Sequence, residues 1–237
     1  SAASDVYKRQ EDQIIPPFKL IRLYVPLTLE EKMYYEEISR TLKRLMLHII
    51  NRTPGLKEES TEFFKKLSEI KKNSSDKALL NAIEKFTALS IKRKEIIHNS
   101  TKKILAVKWL IDNLLRKDQR TLIFHERTEG ADKIYSLIKE MGYKVGIYHS
   151  NLDPIFRRNE LKKYRLNEYQ FLVTCRALDE GLDVPSTGNG IIVASTASTR
   201  QRIQRIGRIL RKSAGKETSM IYSILIEKLE EDLLNQK

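Results

Sequence analysis

The segment Gln201-Arg202-Ile203-Gln204-Arg205-Ile206-Gly207-Arg208-Ile209-Leu210-Arg211 gathers four arginines and two glutamines around one glycine. A guanidinium is always charged and presents a rigid fork of donors that matches the oxygens of a phosphate. Ile203, Ile206 and Leu210 fall at helical spacing, so one face of the segment can anchor in a core. Arg205, Arg208 and Arg211 then recur every three residues on a face free to meet an anion. Such a stripe also serves as the solvated side of a basic helix, and the segment alone leaves both readings open.

A second loop carries groups of the right chemistry. Thr174-Cys175-Arg176-Ala177-Leu178-Asp179-Glu180-Gly181-Leu182-Asp183-Val184-Pro185 places a glycine among carboxylates. Gly181 would let the backbone approach a ligand, and Asp183 offers a carboxylate for hydroxyls such as those of a ribose. A turn with a helix cap is the plainer reading of the same residues. Ser195 to Thr199 supplies hydroxyls suited to capping the arginine segment or meeting phosphate. Cys175 has no base placed to activate it and reads as a small buried residue.

The elements that must position these loops follow from periodicity. The sequence predicts an open parallel α/β sheet with helices on both faces, preceded by a mostly helical stretch. Residues 14–26 are extended, because Pro16-Pro17 forbids helix and apolar residues alternate after it. Thr28 and Glu31 form a capping box for a first helix, and further helices are expected over 58–71, 77–97 and 100–115. From Arg120 the texture changes to short apolar runs (121–124, 144–148, 170–174, 190–194 and 219–226) separated by helix-length stretches. In such sheets ligands lie beyond the carboxyl ends of the strands, which directs attention to loops 125–128, 148–151, 174–186 and 194–200.

Composition is consistent with a nucleic-acid partner. The chain of 237 residues carries a formal net charge of +13, with 41% hydrophobic and 32% charged residues. That balance favours polyanions. A single cysteine excludes an internal disulfide and fits a reducing, cytoplasmic setting, and no apolar run reaches membrane-spanning length. Lysines and arginines of the helical stretch (Lys65, Lys66, Lys71, Lys72, Lys92, Arg93 and Lys94) form either a solvated face or contacts to a duplex backbone.

These motifs, in their order and spacing, resemble a known family. The apolar strand, Thr-x-x-Ala-x-Asp-Glu-Gly-Leu-Asp-Val-Pro, a second strand and Gln-x-x-Gln-Arg-Ile-Gly-Arg-Ile-Leu-Arg resemble motifs V and VI of the superfamily 2 helicases. Thr121 to Glu126 is similar to motif IV, and Tyr148-His149-Ser150 to the short motif after the next strand, with Arg157-Arg158 in the basic helix behind it. The segment Ile14 to Val25, with the helix that follows, resembles the bridge after the first motor domain in xeroderma-pigmentosum-B-type and phage recombination helicases.

The resemblance implies roles. Arg208 and Arg211 are expected as arginine fingers reaching ATP on a first RecA-like domain, with Gln204 and Arg205 lining the cleft. Gly181 and Asp183 are expected to couple nucleotide to the strand-binding face. Arg127, His149, Ser150, Thr174 and Arg176 are expected towards the nucleic-acid backbone, although for His149 a capping or core role competes. The cofactors implied are ATP and Mg2+. The partners implied are DNA, with RNA possible, and the first RecA-like domain of the same protein; no membrane is implied.

The sequence has no Gly-x-x-x-x-Gly-Lys-Ser/Thr phosphate loop and no Asp-Glu box, which in this family belong to the first motor domain. Asp5 to Gln10 is similar to the translation of a sequencing adapter, so residues 1–10 are read as a non-native tail. The expected organisation is therefore a linker over 11–27, a helical accessory region over 28–115 and a second RecA-like domain over 116–237, from a longer protein. This chain by itself is expected to be inactive as an ATPase. Two other readings are a translocating subunit of a restriction system and a non-catalytic nucleic-acid-binding module.

Overall fold

The computed structural model describes residues 18–56, 62–115, 119–175, 187–194 and 219–230. The chain forms two compact units. One is Thr28–Ile97, and the other combines Ser1–Leu27 with His98–Lys237.

The helical unit is built from α1 (Leu29–Arg52), α2 (Phe63–Asn73) and most of α3 (Lys77–His98). Thr28 and Glu31 close the expected capping box, each side chain accepting the other's backbone N–H at 3.2 and 3.0 Å. Asp76 caps α3 by accepting from Ala78 and Leu79, and pairs with Arg52 at 2.8 Å. Ile38, Leu42 and Ile49 of α1 bury against Phe63 and Leu67 of α2 and Ile83 and Phe86 of α3. Phe63 and Phe86 meet edge to face with ring centroids 5.8 Å apart, a geometry favoured by the ring quadrupoles.

The α/β unit is organised by six strands: β1 (Phe18–Val25), β2 (Thr121–Phe124), β3 (Val145–Tyr148), β4 (Phe171–Thr174), β5 (Asn189–Ile192) and β6 (Ser219–Ile226). They form one sheet in the order β1-β6-β5-β2-β4-β3, with every pairing parallel. Strands β2 and β4 are buried at all four positions each, as a parallel sheet covered on both faces requires. Among the described residues three helices flank the sheet: α4 (Thr101–Asn113), α5 (Thr128–Glu140) and α6 (Pro154–Arg165). Val107, Leu110 and Ile111 of α4 and Ala131, Ile134 and Ile138 of α5 cover one face, over Ile123, Val173 and Ile191. Leu161 and Tyr164 of α6 cover the other, over Leu122, Phe124 and Leu172. The α/β architecture read from the sequence is the one observed.

Two boundaries differ from expectation. The helix expected over 100–115 belongs to the α/β unit, because its apolar side packs on the sheet. Residues 18–25, expected as part of a linker, pair along their length with β6 and form an edge strand. A strand with Ile21, Leu23 and Val25 on one face and Phe18 and Leu20 on the other contributes to both cores.

Beyond β6 the chain is tied back by a buried ion pair. Lys103 of α4, fully buried, lies 2.8 Å from Glu230, and Glu230 also accepts the Ile226 N–H. Burial holds the Lys103 ammonium well below its ordinary pKa, with the Glu230 carboxylate opposing that shift. Removing one member leaves the other charged, buried and unmatched. Glu230→Ala is expected to cost about 3–5 kcal/mol in chemical denaturation, whereas Lys103→Met combined with Glu230→Gln stays near wild type. A single change as mild as the double would mean that the pair carries no such constraint.

Candidate nucleic-acid interface

The carboxyl ends of β2, β3 and β4 lie side by side because β4 pairs with both β2 and β3. Short backbone bonds knit their ends together: the His125 N–H reaches Thr174 O at 3.0 Å, and the Cys175 N–H reaches Tyr148 O at 3.3 Å. The Cys175 thiol donates to Glu126 O at 3.1 Å. Cys175 is buried, as its sequence context implied.

Arg127 is the N-cap residue of α5, in extended conformation (φ −118°, ψ 144°) and half-buried. Its carbonyl accepts the Ala131 N–H, the first bond of the helix. The loop after β3 is fastened to the same helix at two points. His149 Nε2 lies 3.0 Å from Asp132 Oδ1, and the Asn151 amide donates to Thr128 Oγ1 at 3.3 Å. Asp153 caps α6 by accepting from Ile155 and Phe156, both at 2.9 Å, and Pro154 opens that helix at a position where no N–H is needed. Arg157 lies over the Tyr148 ring, 5.2 Å from its centroid.

These contacts divide the expected site residues into two groups. Arg127 and the exposed Ser150 stand at the surface of the carboxyl edge, beside Thr128 and Asn151. His149 and Thr174 are buried beneath it, and His149 Nδ1 and Thr174 Oγ1 have no hydrogen-bond partner among the described residues. Arg176, Gly181, Asp183, Gln204, Arg205, Arg208 and Arg211 lie outside the described residues. Among the described residues no group of three His, Cys, Asp or Glu side chains is placed to hold a metal ion, and no helix is long and apolar enough to cross a membrane.

The residues that sequence reasoning missed are His125, Gly130 and Asp132. His125 is 1% exposed. Its Nε2 lies 2.9 Å from His98 O, and the Arg127 N–H donates to Nδ1 at 3.1 Å. Nδ1 also lies 2.9 Å from the Arg127 carbonyl oxygen, so each ring nitrogen faces a carbonyl, and which of them donates depends on the tautomer. Burial pushes the imidazole pKa down, against the two backbone contacts that favour charge. Gly130 makes room for the ring: a Cβ there would lie 2.0 Å from His125 Cε1. A glycine inside a helical pattern was the one available signal, and it does not say what fills the space.

The α/β unit matches known proteins. Residues 102–213 match the family described as the helicase conserved C-terminal domain. The "DNA 3'-5' translocase XPB2" of Sulfurisphaera tokodaii is 30% identical over 222 residues, covering 91% of this chain and 46% of the relative. The "UvrABC system protein B" of Mycobacterium ulcerans is 35% identical over 104 residues, 42% of this chain and 15% of the relative. The chain thus spans about half the length of the XPB2 relative. Among solved structures, the C-terminal part of the Fun30 ATPase domain superposes with a TM-score of 0.61 at 15% identity, over 93% of this chain and 89% of that one. The Sulfolobus solfataricus SWI2/SNF2 ATPase C-terminal domain gives 0.58 at 15% identity, over 92% and 83%.

The protein therefore carries, over residues 102–213, a domain of the helicase conserved C-terminal family with a RecA-like fold.

The interlock of His125 and Gly130 has a testable consequence in sign. Gly→Ala inside a helix ordinarily stabilises by roughly 0.5–1 kcal/mol. Gly130→Ala is expected to destabilise the wild-type chain, because the ring must leave its seat, yet to stabilise the His125→Ala variant, where the space is empty. Thermal melts of the four proteins decide it: equal effects in both backgrounds would overturn the interlock.

The depressed pKa has its own signature. The unfolded chain takes up a proton below about 6.5, the ordinary value for an imidazole, while the folded chain resists it. His125 thus contributes stability that is present above that value and lost as pH falls through the folded pKa. The drop in denaturation midpoint between about pH 8 and about pH 5 should be smaller in His125→Asn than in wild type.

Proposed function

We propose that this chain supplies the second motor domain of an ATP-dependent DNA translocase or helicase. The observation that carries the reading is the order of segments along the chain relative to the strands. The loops holding Arg127 and Ser150 follow β2 and β3, the Gly181–Asp183 segment follows β4, and the arginine segment follows β5. Similarity to a protein named as a DNA translocase supports DNA as the track, and the net charge suits a polyanion.

The donor set fits a nucleoside triphosphate. Guanidinium forks at Arg208 and Arg211 suit the oxygens of a transferring phosphoryl group, and Gln204 and Arg205 add donors beside them. Gly181 and Asp183 would lie between this cluster and the strand. ATP, with Mg2+ held mainly by the first RecA-like domain, would supply the free energy of movement. The chain's own residues would close on the phosphates with the two arginines. They would grip the strand through Arg127, Ser150 and Arg176, with His149 and Thr174 buried beneath that surface.

Two measurements test the two halves of this reading. In the protein with both motor domains, Arg208→Ala is expected to lower DNA-stimulated ATP hydrolysis by about a thousandfold or more, with DNA affinity unchanged. Equal loss of affinity would reassign Arg208 to the nucleic acid. Arg127→Ala should weaken DNA binding for every sequence alike and reduce the slope of log affinity against log salt by about one unit. An unchanged slope would remove Arg127 from the backbone contacts.

A further inference from the structure

His125 is held on three sides by groups that belong to different parts of the fold. Nε2 meets the carbonyl of His98, the last residue of α3, at 2.9 Å. Nδ1 meets the backbone of Arg127, 3.1 Å from its nitrogen and 2.9 Å from its carbonyl oxygen. The ring rests on the bare Cα of Gly130 in α5. The Arg127 carbonyl is itself fixed by the Ala131 N–H at 3.1 Å, so both ends of this residue's backbone are set. Lys103, Glu126 and Glu129 are the charged groups that act on the ring.

A side chain as long as arginine's is aimed by its own φ and ψ, because four staggered torsions magnify any change at the Cα. An N-cap residue takes extended dihedrals outside the helix; the first helical bond holds its carbonyl and leaves its other end to contacts beyond the helix. At Arg127 the buried imidazole supplies that second constraint.

We propose that His125 is a positioning residue for strand binding: its Nδ1 sets the backbone of Arg127 and thereby the direction in which the guanidinium meets the nucleic-acid backbone. This rests on the reading of Arg127 as a backbone contact. The fold places His125 where a strand-binding loop meets the end of α3, and gives the side chain no contact with the strand itself.

The test separates the two acceptor–donor functions of the ring. In His125→Asn the terminal amide can stand where Nδ1 stood and meet the Arg127 backbone with either its oxygen or its NH2. His125→Gln can reach the His98 carbonyl and leaves the Arg127 backbone without that partner. Affinity of the 237-residue chain for a fluorescein-labelled DNA oligonucleotide is measured by anisotropy for these variants, alone and combined with Arg127→Ala. Loss of a charged contact to phosphate makes Arg127→Ala bind about tenfold more weakly. His125→Gln is expected to weaken binding several-fold, and His125→Asn to stay within about twofold of wild type. Neither should weaken binding further once Arg127 is alanine, since coupled residues are non-additive.

Both variants keep a side chain over Gly130, and equal thermal melts confirm that the comparison is made between folded proteins. If one of the two melts early, its double with Arg127→Ala melts with it, and the coupling between positions is read from the other. Rescue by Gln and not Asn, or additive losses in the doubles, would overturn the positioning role while leaving Arg127 as a contact. Wild-type affinity in Arg127→Ala would overturn the contact itself, and the positioning role with it.

Discussion

Every feature of the carboxyl edge depends on the burial of β2. This four-residue strand has neighbours on both sides and helices over both faces, so Leu122, Ile123 and Phe124 are apolar and fully buried. A parallel strand cannot turn back on its neighbour; the chain must cross over and return, and each crossover begins at the same edge. The carboxyl ends of β2, β3 and β4 are thus gathered by topology before any residue beyond them acts. With the edge assembled, short polar contacts finish the surface: His149 to Asp132, Asn151 to Thr128, and Cys175 to Glu126.

The polar groups beneath this edge are unusually buried for their type. His125, His149, Thr174, Lys103 and Glu230 all lie within the core or at its margin. A buried polar group costs free energy unless it is satisfied, and a buried charge costs more. His125 meets that cost by remaining neutral and using both ring nitrogens. Lys103 meets it by pairing with Glu230, which closes the end of β6 onto α4. In both cases a polar interaction fixes a single arrangement where an apolar side chain would permit several.

Periodicity and local chemistry made much of the fold legible. Thr28 and Glu31 announced the first helix because a capping box is a contact across three residues. Gly142 follows the end of α5, and its φ of +81° is the left-handed conformation that a glycine stop serves. The five apolar runs from Thr121 to Ile226 became β2 to β6 within a residue or two. Residues 18–25 were read as extended without their role, because alternation does not name a pairing partner, and that partner, β6, stands about 200 residues away. The helix Thr101–Asn113 was grouped with its helical neighbours because an amphipathic pattern shows that a face is buried and not what buries it.

The sequence by itself determined the element types, the parallel α/β class and the chemistry of Arg127, Ser150 and the arginine segment, since these depend on spacing and on side-chain type. Only the tertiary structure decided which of the expected contacts stand at the surface and which lie beneath it. His149 and Thr174 have the same polar character as Ser150, and burial alone separates them. Only the folded chain brings His125 onto Gly130 and His98, or Lys103 onto Glu230. Those pairings join residues that no local pattern relates, and the low dielectric around them is a property of the assembled core.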